Sequence, residues 1–216
     1  MFHMVRKDEK RPRGRPRAYD PERAMDRATG AFWRAGYSAT SLEDLTAATG
    51  MNKPSLYSAF GDKRALYLAA LERYTEAGRL AMVEALRPDL SLREGLQRVY
   101  DTALQFYLPP DQTARGCFLI GTAATESVED PEVRKRLREG LRLYDSLFEA
   151  RIAQAREAGE IAADADPAAL ASVASAIMHT LALRSRAGDP EKMLRAIATA
   201  GIDLICGPER ARSKRR

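Results

Sequence analysis

The sequence predicts an all-α fold of about nine helices. No stretch of its 216 residues alternates polar and apolar side chains for long, and no Asn-Gly or Asp-Gly pair marks a hairpin. Asp-Pro pairs at 20–21, 130–131, 166–167 and 189–190 each place an N-cap residue before a proline suited to the first helical turn. Glycines follow the expected helix ends at Gly36, Gly50, Gly159, Gly188 and Gly207.

Four helices are predicted in the N-terminal part of the chain. Ala24, Ala28 and Phe32 share one face of the first helix. Ser41 and Asp44 have the spacing of a capping box at the start of the second helix. The expected bounds of the four helices are 21–35, 41–48, 52–60 and 62–86.

Five further helices are predicted in the C-terminal part, over 91–108, 115–128, 131–158, 167–186 and 190–206. The longest carries apolar side chains at spacings of three and four residues, from Val133 to Ala155. The chain therefore divides into a basic arm, a three-helix helix-turn-helix domain, a larger helical domain and a basic tail. Their expected bounds are 1–18, 19–65, 66–207 and 208–216.

The net charge of +5 is distributed unevenly. Residues 1–17 carry +5 and residues 209–216 carry +4, which leaves −4 on the body of the chain. Basic ends favour a polyanionic partner, either nucleic acid or an anionic membrane surface, although they also fit solvated tails that bind nothing. Two cysteines and the lack of a long apolar stretch argue against a disulfide framework and a membrane span. We therefore expect a cytoplasmic protein without a signal peptide.

Residues 40–60 have the form of a helix-turn-helix, in which two short helices flank a turn at Gly50. Four apolar residues are expected to hold the two helices together. With these turned inward, the second helix presents short polar side chains and its positive N-terminal end to solvent, which suits a DNA major groove and the adjoining phosphates. The four apolar residues are Leu42, Leu45, Met51 and Leu56.

Residues 20–67 resemble the DNA-binding domain of the TetR (tetracycline repressor) family of bacterial transcription regulators. The resemblance implies that the remaining helices bind a small effector and form a dimer. The chain departs from the family pattern at four positions. Ala is usual in place of Thr46, Val in place of Met51, Ser in place of Asn52 and Glu in place of Arg64. The matching groups are Ala28-x-x-x-Phe32-x-x-x-Gly36-Tyr37, Thr40-Ser41, Gly50-Met51-x-x-Pro54-Ser55-Leu56-Tyr57-x-x-Phe60 and Asp62-Lys63-x-x-Leu66.

The resemblance also implies specific DNA contacts. Thr40 and Ser41 would open the second helix of the motif against the phosphate backbone. Tyr57 would donate its hydroxyl to a phosphate and Lys63 would reach another, although a packed tyrosine and a solvated lysine are the plain alternatives. The residues expected to approach the bases are Lys53, Pro54 and Ser55.

A basic arm precedes the first helix. Gly14 and Pro16 keep this segment extended between three arginines, so that it suits a narrow minor groove with its enhanced negative potential. The alternative is a tail without a groove partner. The three arginines are Arg13, Arg15 and Arg17.

The two C-terminal helices are expected to form a homodimer. Residues 167–183 contain no charged side chain, and one monomer offers too few helices to cover both this helix and the last. Packing against a symmetry copy would give a four-helix interface, and the alternative is a monomer that buries both faces itself. The predicted interface residues are Ala169, Ser172, Ala176, Thr180, Leu183, Leu194, Ala198, Gly201 and Ile205.

The resemblance further implies a pocket for a largely apolar effector among residues 91–186. Each candidate wall residue also fits plain core packing, and His179 fits a buried histidine, a polar anchor or a pH-sensitive group. Cys117 fits a small core residue better than a redox or metal sensor, so no metal or cofactor is expected. The predicted wall residues are Tyr100, Phe106, Tyr107, Phe118, Tyr144, Phe148, Met178 and His179.

The expected function is a ligand-responsive repressor that binds an inverted-repeat operator as a homodimer. Its expected partners are double-stranded DNA and the effector, and no membrane. Catalysis is not expected, because the chain lacks a glycine-rich nucleotide loop and a His-Glu-x-x-His motif. The alternative is a basic-tailed helical protein that binds membrane surfaces or small molecules without specific DNA readout.

Overall fold

The computed structural model of the protein describes residues 20–109 and 114–208. These residues form nine α-helices and one π-helical turn and contain no β-strand, which confirms the predicted fold class. The π-helical turn, Leu119–Ala123, leads directly into α6. The helices are α1 (Pro21–Ala35), α2 (Leu42–Thr49), α3 (Lys53–Phe60), α4 (Lys63–Ala85), α5 (Leu92–Tyr107), α6 (Ala124–Glu126), α7 (Pro131–Glu157), α8 (Pro167–Arg186) and α9 (Glu191–Cys206).

The helix-turn-helix forms where the sequence predicts it. The Ser41 side chain caps α2 by accepting the Asp44 N–H, and the Asp44 carboxylate accepts the Ser41 N–H in return. Gly50 ends α2 at φ 71°, a left-handed conformation that suits glycine. Leu45 and Leu56 are fully buried between the helices, so the local signals and the packing agree.

Helix α4 belongs to both parts of the molecule. The Asp62 side chain caps it beside α3, and the helix then runs 23 residues to Ala85 among the C-terminal helices. The expected domain boundary at residues 65–66 lies inside this helix. The domain bounds therefore stay a prediction, while α4 provides a continuous helical connection between the two parts.

The predicted helix over 115–128 is wrong in its first turn, which is not helical. Gly116 has φ 62°, and a Cβ on it would lie 2.4 Å from the carbonyl oxygen of Ala182 on α8. Only glycine allows the chain to pass this close to α8. Helical structure therefore begins later, with the π-helical turn.

The start of α9 also differs from the prediction. Pro190, and not Asp189, is the N-cap, and no side chain caps the helix. The Asp189 carboxylate instead accepts a hydrogen bond from Arg184 at 2.8 Å. A nearby cation thus competes with the capping role that the Asp-Pro pair predicts.

An aromatic cluster joins the N-terminal helices to the larger unit. Phe118, just before the π-helical turn, lies 5.5 Å from Trp33, 5.6 Å from Tyr74 and 6.0 Å from Tyr67, measured between ring centroids. Three of these four contacting rings come from α1 and α4, so Phe118 closes a gap that neither helix fills alone. The cluster consists of Phe32, Trp33, Tyr37, Tyr67, Tyr74 and Phe118.

Hydrogen bonds and an ion pair also join the N-terminal helices to the larger unit. The Trp33 indole N–H donates to the Gly116 carbonyl at 3.1 Å, and the Tyr67 and Thr122 hydroxyls are hydrogen-bonded at 2.8 Å. Arg64 donates two hydrogen bonds to the Asp130 carboxylate, at 2.6 and 2.8 Å. The Arg64 guanidinium lowers the pKa of Asp130 to about 2. The unusual Arg64 thus has a structural partner on the cap of α7.

We expect Arg64→Gln and Asp130→Asn to show favourable coupling in a double-mutant cycle of urea unfolding at pH 7. Asparagine keeps the α7 cap but removes the charge, so the cycle isolates the ion pair. Because the folded-state pKa of Asp130 is depressed, the coupling is present above the ordinary carboxyl pKa and is lost as the pH falls toward about 2. The matched control is Arg79→Gln with Glu76→Gln, an ion pair within α4. Coupling no larger than in this control would contradict the assigned role.

Candidate nucleic-acid interface and ligand cavity

Helix α3 presents a polar face to solvent. Lys53, Pro54, Tyr57 and Ser58 are exposed and Ser55 is half-buried. The Lys53 ammonium lies 6.0 Å from the centroid of the Tyr57 ring, so a cation and a phenol occupy the same side of the helix. Leu56, on the opposite side, is buried. The face that the sequence predicts for DNA contact is therefore accessible.

The first turn of α3 is less open to phosphate than its sequence suggests. The Asn52 side chain already accepts the Ser55 N–H at 2.9 Å, and Pro54 has no N–H to give. The positive character of this helix end therefore rests on the helix dipole and on the Lys53 charge more than on a row of free amides.

The structure places Thr40 inside the protein, contrary to the expectation that its side chain faces phosphate. The residue is 1% exposed, and its hydroxyl donates to the Gly36 carbonyl at 2.6 Å. The hydroxyl therefore closes the turn between α1 and α2. Ser41 is exposed, with its hydroxyl engaged in the α2 capping box.

Two further basic groups flank the motif. Lys63 is half-buried, and its ammonium lies 4.4 Å from the centroid of the Tyr37 ring. The Arg27 guanidinium lies near the turn, 4.0 Å from where a Cβ on Gly50 would be. The sequence does not single out Arg27, because it is one of three exposed arginines on α1 and its position has no distinctive spacing. The predicted arm residues Arg13, Arg15 and Arg17 lie outside the described residues.

A cavity of about 50 Å³ lies among α4, α5, α7 and α8. Phe106, Tyr107, Tyr144 and Met178 line it, as predicted for the ligand wall. Four of the other lining residues come from α4, which the sequence analysis did not include in the pocket. These residues are Tyr74, Gly78, Ala81 and Met82.

The other four predicted wall residues lie outside this lining. Tyr100 is buried and donates its hydroxyl to the Ala174 carbonyl at 3.1 Å, and Phe148 is fully buried in the core. Phe118 belongs to the aromatic cluster. His179 is half-buried, and burial lowers its pKa while Asp145 opposes the shift. Tyr100, Phe148 and His179 lie on helices at the spacing of core residues, a pattern that does not distinguish the core from the wall of a cavity.

Cys117 also lines the cavity. Its sulfur accepts a hydrogen bond from the Tyr74 hydroxyl at 3.4 Å. Burial raises the pKa of the Cys117 thiol, which disfavours the thiolate that redox chemistry and metal binding need. Within the described ranges, no group of three His, Cys, Asp or Glu residues is placed to hold a metal ion.

The two C-terminal helices expose apolar faces, but the predicted α9 face is wrong. Ala169, Ser172, Ala176 and Leu183 on α8 are exposed and Thr180 is half-buried, in agreement with an accessible face. The four α9 residues predicted for the interface are buried within the monomer. They are Leu194, Ala198, Gly201 and Ile205.

Close packing between α8 and α9 explains the difference. A Cβ on Gly201 would lie 2.3 Å from the Ile177 side chain, so the small residues of α9 admit α8 of the same chain and leave no room for a partner there. The exposed side of α9 carries Met193 and Leu204, which are 43% and 72% exposed.

Two family profiles match the chain. The profile described as "Bacterial regulatory proteins, tetR family" matches residues 24–70, and the profile described as "Tetracyclin repressor-like, C-terminal domain" matches residues 93–200. Together they cover the helix-turn-helix and most of the C-terminal helices.

Characterised proteins are similar over most of this length. The HTH-type transcriptional repressor ComR of Escherichia coli (strain K12) is 30% identical over 200 residues, which are 93% of this chain and 94% of ComR. The repressor BdcR of the same strain is 35% identical over 117 residues, 54% of this chain and 59% of BdcR. A solved structure of a cysteine mutant of the TetR-family regulator CifR, complexed with 26-base-pair operator DNA, is 30% identical with a TM-score of 0.79. It covers 87% of this chain and 98% of the CifR chain.

We expect Thr40→Val to lower the free energy of unfolding by about 1 kcal/mol, because the Gly36 carbonyl loses its buried hydroxyl donor while the side-chain volume is kept. Urea unfolding measures the change. Thr29→Val is the matched control, since the Thr29 hydroxyl bonds to the Met25 carbonyl within α1. A smaller loss for Thr40→Val than for this control would contradict the structural role of the Thr40 hydroxyl.

Proposed function

The chain belongs to the TetR family of helix-turn-helix transcriptional repressors, and from that premise we propose that it binds an inverted-repeat operator as a homodimer and leaves it when a small molecule enters the helical core. The observation that carries this proposal is the exposed polar face of α3, held by a buried apolar seam. A helix with this face and a positive N-terminal end fits a DNA major groove. The relatives ComR and BdcR are named as repressors of transcription, and CifR was solved with operator DNA.

On this proposal, Lys53, Pro54 and Ser55 read base edges from the first turn of α3. Tyr57, one turn further along, donates its hydroxyl to a phosphate. Ser41 and Lys63 flank the groove, and Arg27 adds a cation near the turn. The buried Thr40 is left out of the interface, because its hydroxyl is bonded inside the protein.

The dimer forms through the exposed faces of α8 and α9. The α9 side of the interface includes Leu204. The α8 side consists of Ala169, Ser172, Ala176 and Leu183. Support comes from the exposure of these apolar and small side chains on adjacent helices, since small residues let helix backbones approach closely. A two-fold dimer presents two copies of α3 to half-sites about 34–36 Å apart.

Ligand binding reaches the DNA-reading helices through α4. Tyr74, Gly78 and Met82 line the cavity, and the Lys63 end of the same helix adjoins α3. The Gly116 segment provides a second connection, because Cys117 lines the cavity while Gly116 accepts the Trp33 indole N–H. A ligand that moves either element changes the separation of the two α3 copies and lowers operator affinity.

The proposed location is the cytoplasm, where a DNA-binding regulator acts. Helix α8 is the one described helix long and apolar enough to cross a membrane by length and composition. Ala171, Ala174 and Leu181 on this helix are buried against other helices, which favours a core and interface role over the membrane alternative. No observation of the described residues favours catalysis, and the relatives named above are regulators of transcription.

We expect Tyr57→Phe to weaken operator binding by about 2- to 10-fold for all operator variants alike, because one phosphate hydrogen bond is lost. Lys53→Ala is expected to change the preference at one position of each half-site. Selection from a random duplex library followed by gel-shift titration measures both effects, with the exposed, distant Lys192→Ala as the control. Failure of the wild-type protein to enrich an inverted repeat would contradict the proposal of specific readout.

We expect Leu204→Glu to convert the dimer to monomer at micromolar concentration, since it places a charge in the apolar interface. Light scattering on a sizing column gives the mass. Leu80→Glu is the matched control, because Leu80 is 55% exposed on α4, away from α8 and α9. A Leu204→Glu protein that keeps the dimer mass would exclude this face as the interface.

A further inference from the structure

The described lining of the cavity carries no charged side chain. Its polar groups are the hydroxyls of Tyr74, Thr102, Tyr107 and Tyr144 and the thiol of Cys117. All of these groups are neutral in the folded protein, since burial raises the pKa values of the three phenols and of the thiol. A charged ligand would therefore be left without a counterion in an apolar site.

Two of these hydroxyls, on residues that line the cavity, have no hydrogen-bond partner among the described residues. The Tyr74 hydroxyl donates to the Cys117 sulfur. Tyr107 and Tyr144 are only 4% and 6% exposed, and their hydroxyls have no hydrogen-bond partner among the described residues. Tyrosine hydroxyls inside a protein usually find a hydrogen-bond partner, so these two donors are available to a ligand in the cavity with an oxygen that accepts hydrogen bonds.

The Tyr144 hydroxyl packs closely against Gly78 of α4. A Cβ on Gly78 would lie 2.4 Å from the Tyr144 hydroxyl oxygen and 3.2 Å from the ring carbon that bears it. Glycine at this position in the helix thus makes room for the phenol. The donor therefore lies at the cavity wall beside α4, the helix that adjoins α3 at its other end.

The cavity is compact but its wall can adapt. A volume of about 50 Å³ is well below the ~300–1,000 Å³ of sites for drug-sized ligands. Met82 and Met178 line it, and methionine side chains rearrange at low cost. Phe106, which is 41% exposed, lies at the rim. A cavity of ~150 Å³ takes one benzene ring, so a ligand with a single ring requires these side chains to rearrange, and a larger ligand is disfavoured.

We infer that the effector is a small uncharged molecule with an apolar body and one carbonyl oxygen, which accepts hydrogen bonds from the Tyr107 and Tyr144 hydroxyls. The inference rests on the proposed function in treating the occupant of this cavity as the effector. The two phenols then distinguish this ligand from a hydrocarbon of the same shape and from a carboxylate.

The test uses three matched probes, which are acetophenone, ethylbenzene and benzoate. The full-length protein is labelled with ¹³C at its methionine methyl groups, and the Met82 and Met178 signals are assigned by Met82→Leu and Met178→Leu. We expect acetophenone to shift both signals with a Kd at least 5-fold lower than that of ethylbenzene and at least 10-fold lower than that of benzoate. The double variant Tyr107→Phe/Tyr144→Phe is expected to raise the acetophenone Kd at least 5-fold and to leave the ethylbenzene Kd within 2-fold.

Tyr100→Phe is the matched control, since the Tyr100 hydroxyl is bonded to the Ala174 carbonyl away from the cavity, and it should leave both Kd values unchanged. Each single Tyr→Phe variant is also measured, so that a folding defect in the double variant does not decide the result. Equal affinities for acetophenone and ethylbenzene, an equal loss of both in the variants, or no shift with any probe up to its solubility would overturn the inference.

Gel shifts on the same samples test DNA binding separately. Acetophenone binding without operator release would uphold the ligand class and overturn the ligand response of the proposed function.

Discussion

The packing of Phe118 against α1 and α4 is the contact on which the arrangement of the molecule depends. Its ring lies within 6.0 Å of the Trp33, Tyr67 and Tyr74 rings, measured between centroids. Phe118 can take this position only because Gly116, two residues earlier, passes against α8 where a Cβ would collide with a backbone oxygen. The N-terminal helices are thus attached to the wall of the cavity through an aromatic core, and not through a hinge of exposed loops.

Local signals predicted much of the fold because the interactions that create them are local. The Asp20 and Asp130 caps, the Ser41 capping box and the left-handed Gly50 each depend on residues only a few positions apart. The apolar seam of the helix-turn-helix follows from helical periodicity, and its burial is confirmed at Leu45, Met51 and Leu56. The DNA-contact roles of Lys53 and Tyr57 stay predictions, since accessibility is all that the fold establishes for them.

Tertiary contacts account for what the sequence did not predict. Asp189 stands before a proline, as a helix cap would, but its carboxylate forms an ion pair with Arg184 instead. The position of Thr40 at the start of the motif predicts a contact with phosphate, but its hydroxyl donates to the Gly36 carbonyl inside the protein. Helix α9 has two apolar faces of similar composition. The face with Gly201 is the buried one, because the small glycine leaves room for the Ile177 side chain of α8. Aromatic residues such as Tyr100 and Phe148 have the same periodicity whether they face a cavity or fill the core, so only the packed structure separates them from Tyr107 and Tyr144.

The length of helix α4 determines how far a movement at the cavity displaces the end of the helix beside α3. From Gly78 at the cavity wall to Lys63 beside α3 is about 22 Å along the axis, at ~1.5 Å per residue. A tilt of about 5° at the glycine would displace the far end by about 2 Å, a large part of the ~3.4 Å that separates adjacent base pairs. On the proposed function, a guest beside Gly78 therefore needs to tilt α4 by only a few degrees for the two copies of α3 to lose their register with the groove.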